Sequence, residues 1–180
     1  MPRHFTSAAA CRRAGHGVPR RLIAAAIGAI CTITSSASQA GAADKVRISA
    51  LSDVSFGIIT NFAADSVRSQ SLCLYAKSPP LDQYRITASG SGPGGSFELS
   101  SGSDNLPYEV QWNDVAGQSG GTSLVANQPL TGQQSAASID DCSKGASTSA
   151  SLLVVLRSAA VAAASSGTYT GTLTLLVAPE

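Results

Sequence analysis

From residue 168 to residue 177 the side chains alternate. Tyr169, Gly171, Leu173, Leu175 and Val177 share one parity, and Thr168, Thr170, Thr172 and Thr174 share the other. A period of two puts these sets on opposite faces of an extended chain, and β-branched and aromatic residues favour that conformation. The pattern predicts a half-buried strand, stopped by Pro179 and followed by Glu180. A strand this regular, with no element after it, sits between neighbours already made or waits for a partner.

The same period recurs along the chain. Residues 44–51 alternate Val46, Ile48 and Ala50 against Lys45, Arg47 and Ser49. Residues 54–58 read as the start of a second strand region, residues 67–76 as a strand carrying Cys73, and residues 84–88 as a strand led by Tyr84. Leu106, Tyr108, Val110 and Trp112 fall on one face of a further strand. Strand alternation of aromatics marks a core face, and a sugar-stacking platform is the competing reading. Residues 124–130 suggest a weak strand and turn. Residues 151–157 (SLLVVLR) form the unbroken apolar run of a strand buried on both faces, and residues 161–164 one helical turn. Many short strands, turn signals between them and no long helix predict an all-β sandwich.

The first 43 residues are of another kind. A basic stretch with five arginines precedes an apolar run, residues 22–33, too short to cross a bilayer of roughly 30 Å as a helix. Small residues around Ala40 and Ala42 supply a cleavage pattern, so residues 1–43 read as a secretory signal. The mature chain is then a short N-terminal arm, residues 44–52, and a domain, residues 53–180. The expectation is an exported chain with no integral membrane segment in its mature part. From Asp44 onward seven basic residues stand against eleven acidic ones, leaving the body at −4. Nothing in that balance suits a nucleic-acid backbone.

Cys11, Cys31, His4 and His16 all fall in the leader. The body keeps Cys73 and Cys142, which in an oxidising compartment predict one disulfide. It has no histidine, which excludes Ser–His–Asp and Cys–His catalysis and removes the commonest transition-metal ligand. Other candidate sites are thin. The glycine-dense residues 90–95 lead into a strand-like stretch rather than a helix, so they read as a flexible hairpin loop, not a phosphate cradle. Asp140 and Asp141 are adjacent and lack the spaced ligands of a calcium loop, which makes them a solvated turn. Glu98, Asp104, Glu109 and Asp114 scatter without forming a glycosidase pair. The expectation is a non-enzymatic domain that needs no cofactor and no metal.

Several of these pieces together resemble the spore coat protein U-like domain family, which includes pilus subunits of the archaic chaperone–usher pathway. The matching features are the exported leader, Val54-Ser55-Phe56-Gly57, the cysteine strand, Tyr84-Arg85-Ile86-Thr87, Leu106-Pro107-Tyr108-Glu109-Val110 and the second cysteine. The ending, a G-x-Y-x-G-x-L-x-L pattern from Gly167 to Leu175 followed by Val177-Ala178-Pro179-Glu180, is the most specific. The resemblance implies an immunoglobulin-like, pilin-type β-sandwich lacking its final strand. A periplasmic chaperone fills the resulting groove first. The extension of a neighbouring pilus subunit then replaces it at an outer-membrane usher, by donor-strand complementation, a known mode of β-strand addition.

By position, the resemblance makes Val46, Ile48 and Ala50 the candidate donor residues. Tyr169, Leu173, Leu175 and Val177 become the candidate acceptor-groove strand, and Glu180 a carboxylate anchor for the chaperone. An arm as short as residues 44–52 serves either as a donor strand for a neighbour or as the domain's own first strand. The expected function is a structural subunit of a surface pilus or fibre. The alternative is a secreted β-sandwich binding module or tip adhesin for carbohydrate.

Overall fold

A computed structural model describes residues 44–79, 81–143 and 147–180, all within one compact unit. The expectations for the leader, with its cysteines, histidines and cleavage site, lie outside the described residues. The described residues are mostly β-strand in antiparallel sheets. Their only helical elements are a 3₁₀ turn at Pro93–Gly95 and a short helix, α1 (Ser158–Ala163). No helix among them is long and apolar enough to cross a membrane.

The described residues form ten strands in order: β1 (Lys45–Ser49), β2 (Ser66–Lys77), β3 (Gln83–Ser89), β4 (Glu98–Ser101), β5 (Asp104–Pro107), β6 (Glu109–Asn113), β7 (Thr122–Ser123), β8 (Pro129–Gln134), β9 (Ala150–Leu156) and β10 (Thr174–Pro179). One sheet has the order β1-β2-β9-β6-β7 and a second the order β10-β3-β8, while β4 and β5 form a separate hairpin. The core draws on both larger sheets. Leu72, Leu74 and Ala76 of β2, Tyr84, Ile86 and Ala88 of β3, Val110 and Trp112 of β6, and Leu152, Val154 and Leu156 of β9 pack in one cluster. In each strand these residues are two apart, so the period in the sequence sets which face is buried.

The expected run through residues 106–112 is two strands, β5 and β6, divided at Tyr108. Its alternation survives the division, because Leu106, Tyr108, Val110 and Trp112 are all buried. The indole Nε1 of Trp112 donates to the hydroxyl of Tyr84 at 3.0 Å, and the two rings meet edge to face. That bond satisfies two polar groups that burial would otherwise leave without water. Desolvation also holds the Tyr84 phenol well above its ordinary range.

β9 is buried on both faces, as its sequence predicts. Its outer side is covered by a loop that serine hydroxyls hold down. Gly117 N donates to Ser71 Oγ (2.9 Å), Gln118 N donates to Ser151 Oγ (3.0 Å), and Ser151 Oγ donates to Val115 O (2.9 Å). Cys73 of β2 and Cys142 are joined in a disulfide, with Cα atoms 6.0 Å apart.

Three local expectations differ from the structure. The glycine-dense loop after β3 does not close a hairpin; it carries the chain out of one sheet to the separate hairpin β4–β5. Residues 54–58 form no strand: they join no ladder, and Gly57 among them has a φ of 65°. β10 begins at Thr174 rather than Thr168, and it includes Pro179. β10 lies at the edge of its sheet, where the missing proline N–H costs no ladder bond.

Candidate functional site

β10 pairs on one side with β3, Thr174 opposite Ser89 through Pro179 opposite Tyr84, and among the described residues no strand is bonded along its other side. Just before β10 the chain leaves β3 and leans on the hairpin. Ser100 N donates to Thr170 O (2.8 Å) and Thr170 N to Ser100 O (3.0 Å), while Thr172 N donates to Ser91 Oγ (3.1 Å). Glycine eases this approach, more at Gly171, where the backbone oxygen of Glu98 is close, than at Gly167, where the near atom is a serine hydroxyl. A Cβ on Gly171 would lie 2.9 Å from Ser91 Oγ and 3.0 Å from Glu98 O, and one on Gly167 would lie 2.7 Å from Ser101 Oγ. The two glycines of the G-x-Y-x-G pattern thus let the last strand sit against β4.

Opposite this wall runs a strap, residues 51–62, that belongs to no sheet. Between wall and strap lies an open groove of about 1160 Å³. Its floor is Leu152, Val154 and Leu156 of β9, with Leu106, Tyr108 and Val161 beside them. These residues are inward-facing core members, so the groove is a place where the core reaches the surface. Tyr169, Leu173 and Leu175 line it and are only half-buried, although their alternation aims them inward. Val177 shares their face and packs on the core beyond the groove lining. The hydroxyl-bearing face, Thr168, Thr170, Thr172 and Thr174, is exposed.

The strap is held by side chains rather than by a ladder. Gln70 accepts from Ser52 N (3.1 Å) and Ser52 Oγ (3.0 Å) and donates to Ser52 O (3.2 Å). Arg68 donates from Nε to Ser55 O (3.0 Å) and from Nη2 to Phe56 O (3.3 Å), and its guanidinium lies 5.6 Å from the Phe56 ring centroid. Where the strap returns to β2, Asp65 accepts from Ser158 N (2.8 Å) and from Arg157 Nη1 (2.7 Å), and Arg157 also bridges to Glu109. The Ser158 amide and then Arg157 hold the Asp65 carboxyl below its usual range, and Arg157 does the same for Glu109. Sequence reasoning missed Arg68, Gln70 and the strap. Isolated polar residues in a strand carry no sign that they clasp a distant loop.

The arm falls inside the fold. Val46 and Ile48 of β1 pair opposite Ala76 and Leu74 of β2 in the same chain and pack partly buried on the core. Ala50 is exposed, with a positive φ of 61° that turns the chain from β1 into the strap. Lys45 donates to Asp140 at 2.5 Å and Arg47 lies 3.9 Å from the same carboxylate, which ties β1 to the turn before Cys142. β1 passes within 8 Å of β10 without joining its sheet.

Glu180 is also engaged. Its amide donates to Gln83 O (3.0 Å), its carbonyl accepts from Ser78 Oγ, and its side-chain carboxylate accepts from Gly132 N (2.7 Å). Trp112, the residue of the carbohydrate reading, is 1% exposed and offers no face to a ligand.

No protein-family model matches this chain, and no curated protein matches it either.

Proposed function

We propose that this chain is a structural subunit of a bacterial surface pilus or related fibre. In this reading it is an immunoglobulin-like β-sandwich short of one strand, completed by a strand from a second copy of the same chain. A periplasmic chaperone fills the groove beforehand, and an outer-membrane usher is where the exchange takes place. The observation that carries the reading is the groove itself, which is floored by core residues of β9 and runs up to β10, a strand edge with no bonded partner on its outer side among the described residues. Such an edge is a liability in a free protein and a template for strand addition. Leu173 and Leu175 present side chains two apart along it, matching the spacing of an incoming strand.

The donor in this reading is the arm, residues 44–52, whose Val46 and Ile48 have the complementary spacing. In a lone chain the arm finds its own β2; in a fibre it would exchange that place for a neighbour's groove. The test is thermal unfolding of the purified protein with and without a synthetic peptide of residues 44–52. A higher melting temperature that saturates with peptide, or the same effect from a pilus-type chaperone, is expected. A monomer that is stable and indifferent to both contradicts strand capture.

A further inference from the structure

Among the described residues the exposed large apolar side chains are unevenly spread. Four of nine, Leu51, Val54, Ile58 and Phe62, are on the strap, and all four line the groove. The strap divides at Gly57. Before it, Gln70 clasps Ser52 and Arg68 holds the carbonyls of Ser55 and Phe56. Gly57 has a φ of 65°, a conformation that glycine adopts at no steric cost, and a Cβ there would have nothing within 4 Å. After it, residues 58–62 make no hydrogen bond to any strand. Asn61 Oδ1 accepts only from Ala63 N nearby. The chain is caught again at Asp65 by Arg157 and Ser158. Ile58 is 92% exposed and Phe62 53%, while Ile59 between them packs on the core.

We propose that residues 58–62 are a flap that closes over the strand seated in the groove, pivoting at Gly57 and bringing Ile58 and Phe62 down onto it. The inference rests on the groove receiving a strand. The clasped half of the strap keeps the groove open at a fixed width, and the unclasped half supplies the cover. Closure buries two apolar side chains that are now exposed, Ile58 almost fully and Phe62 by about half, so the flap acts chiefly on how long the strand stays. Its tethers at Arg68 and Asp65 let it move without releasing the rest of the strap.

The experiment follows dissociation of a labelled peptide of residues 44–52 from the purified protein, from Ile58→Ser/Phe62→Ser, and from Leu176→Ser. Leu176 is 66% exposed on the opposite face of β10 and lies outside the groove lining, so it serves as the apolar-to-polar control. Burial of even one of the two flap side chains corresponds to a dissociation about tenfold faster when it is lost. The double variant should show that change, with the control unchanged and the melting temperature of the free protein unmoved. Wild-type binding with equal dissociation from the double variant overturns the flap and leaves strand capture standing. A wild-type protein that binds no peptide overturns both.

Discussion

Removing the disulfide tests how the two ends of the fold are held together. Cys73 and Cys142 are 69 residues apart in sequence. In the chain-entropy treatment, a closed loop of that length withholds about 15 cal/mol/K from the unfolded chain, or about 4.4 kcal/mol at 25 °C. Both sulfurs are buried, so little solvent rearrangement offsets the loss. Against a domain stability of roughly 5–15 kcal/mol, such a loss takes a large share of the total. The variant is Cys73→Ala/Cys142→Ala, and the assay is urea unfolding followed by the fluorescence of Trp112, the single tryptophan, which is buried in the core. With a urea slope of about 2 kcal/mol/M, the midpoint should fall by about 2 M. Cys142 also has a φ of 51°, a left-handed conformation that costs an L-residue about 1–2 kcal/mol and glycine almost nothing. Cys73→Ala/Cys142→Gly should therefore recover a fraction of the loss. A midpoint lowered by less than about 0.5 M with unchanged slope would refute the entropic reasoning.

Tyr84→Phe strands the Trp112 indole N–H in the core and should cost about 1–3 kcal/mol, read from the urea midpoint; an unchanged midpoint contradicts the bond. Gly171→Val drives a side chain into Ser91, Glu98 and Leu99 and should lower stability by about 1–3 kcal/mol, whereas Thr172→Val beside it stays within about 0.5 kcal/mol. Comparable losses at both positions would remove the close-approach explanation of the glycine. Asp65 and Glu109 have carboxyls held below their unfolded values, near pH 3.9 and 4.3, so their contribution is present above about pH 5 and fades as the pH falls below that range. Arg157→Met should accordingly shrink the drop in melting temperature between pH 7 and pH 3. Equal drops in variant and wild type would show that the cluster does not carry the acid response.

The strands were legible wherever one face is buried. Period two placed β3, β6 and the inner face of β10 correctly, because burying alternate residues is what sets a strand's register. The continuous run at β9 was legible for the opposite reason, since both its faces are covered. Cys73 and Cys142 could be paired by elimination once residues 1–43 were read as a leader. The strap was not legible. Residues 54–58 have the composition of a strand, and their failure to join one depends on how β2 runs and on Arg68 and Gln70, which turn toward a loop distant in sequence. The start of β10 was missed by six residues for a similar reason. Thr168 to Leu173 alternate like a strand, but the partner at that height is the hairpin β4–β5, reached by a single bridge at Thr170. The sequence also left the arm's place open, and the structure of a lone chain seats Val46 and Ile48 on β2.

Hydrogen exchange at the amides of residues 173–177, beyond the contacts that Thr170 and Thr172 make with Ser100 and Ser91, tests strand capture most directly. In the free protein, those amides that do not face β3 should exchange quickly, as expected for an open edge beside a solvent-filled groove. On saturation with the residue 44–52 peptide, the same amides should become protected, together with the strap, while β6 and β9 stay as they were. Amides already protected in the free monomer, or exchange that the bound peptide leaves unchanged, would contradict the claim that this edge receives a strand.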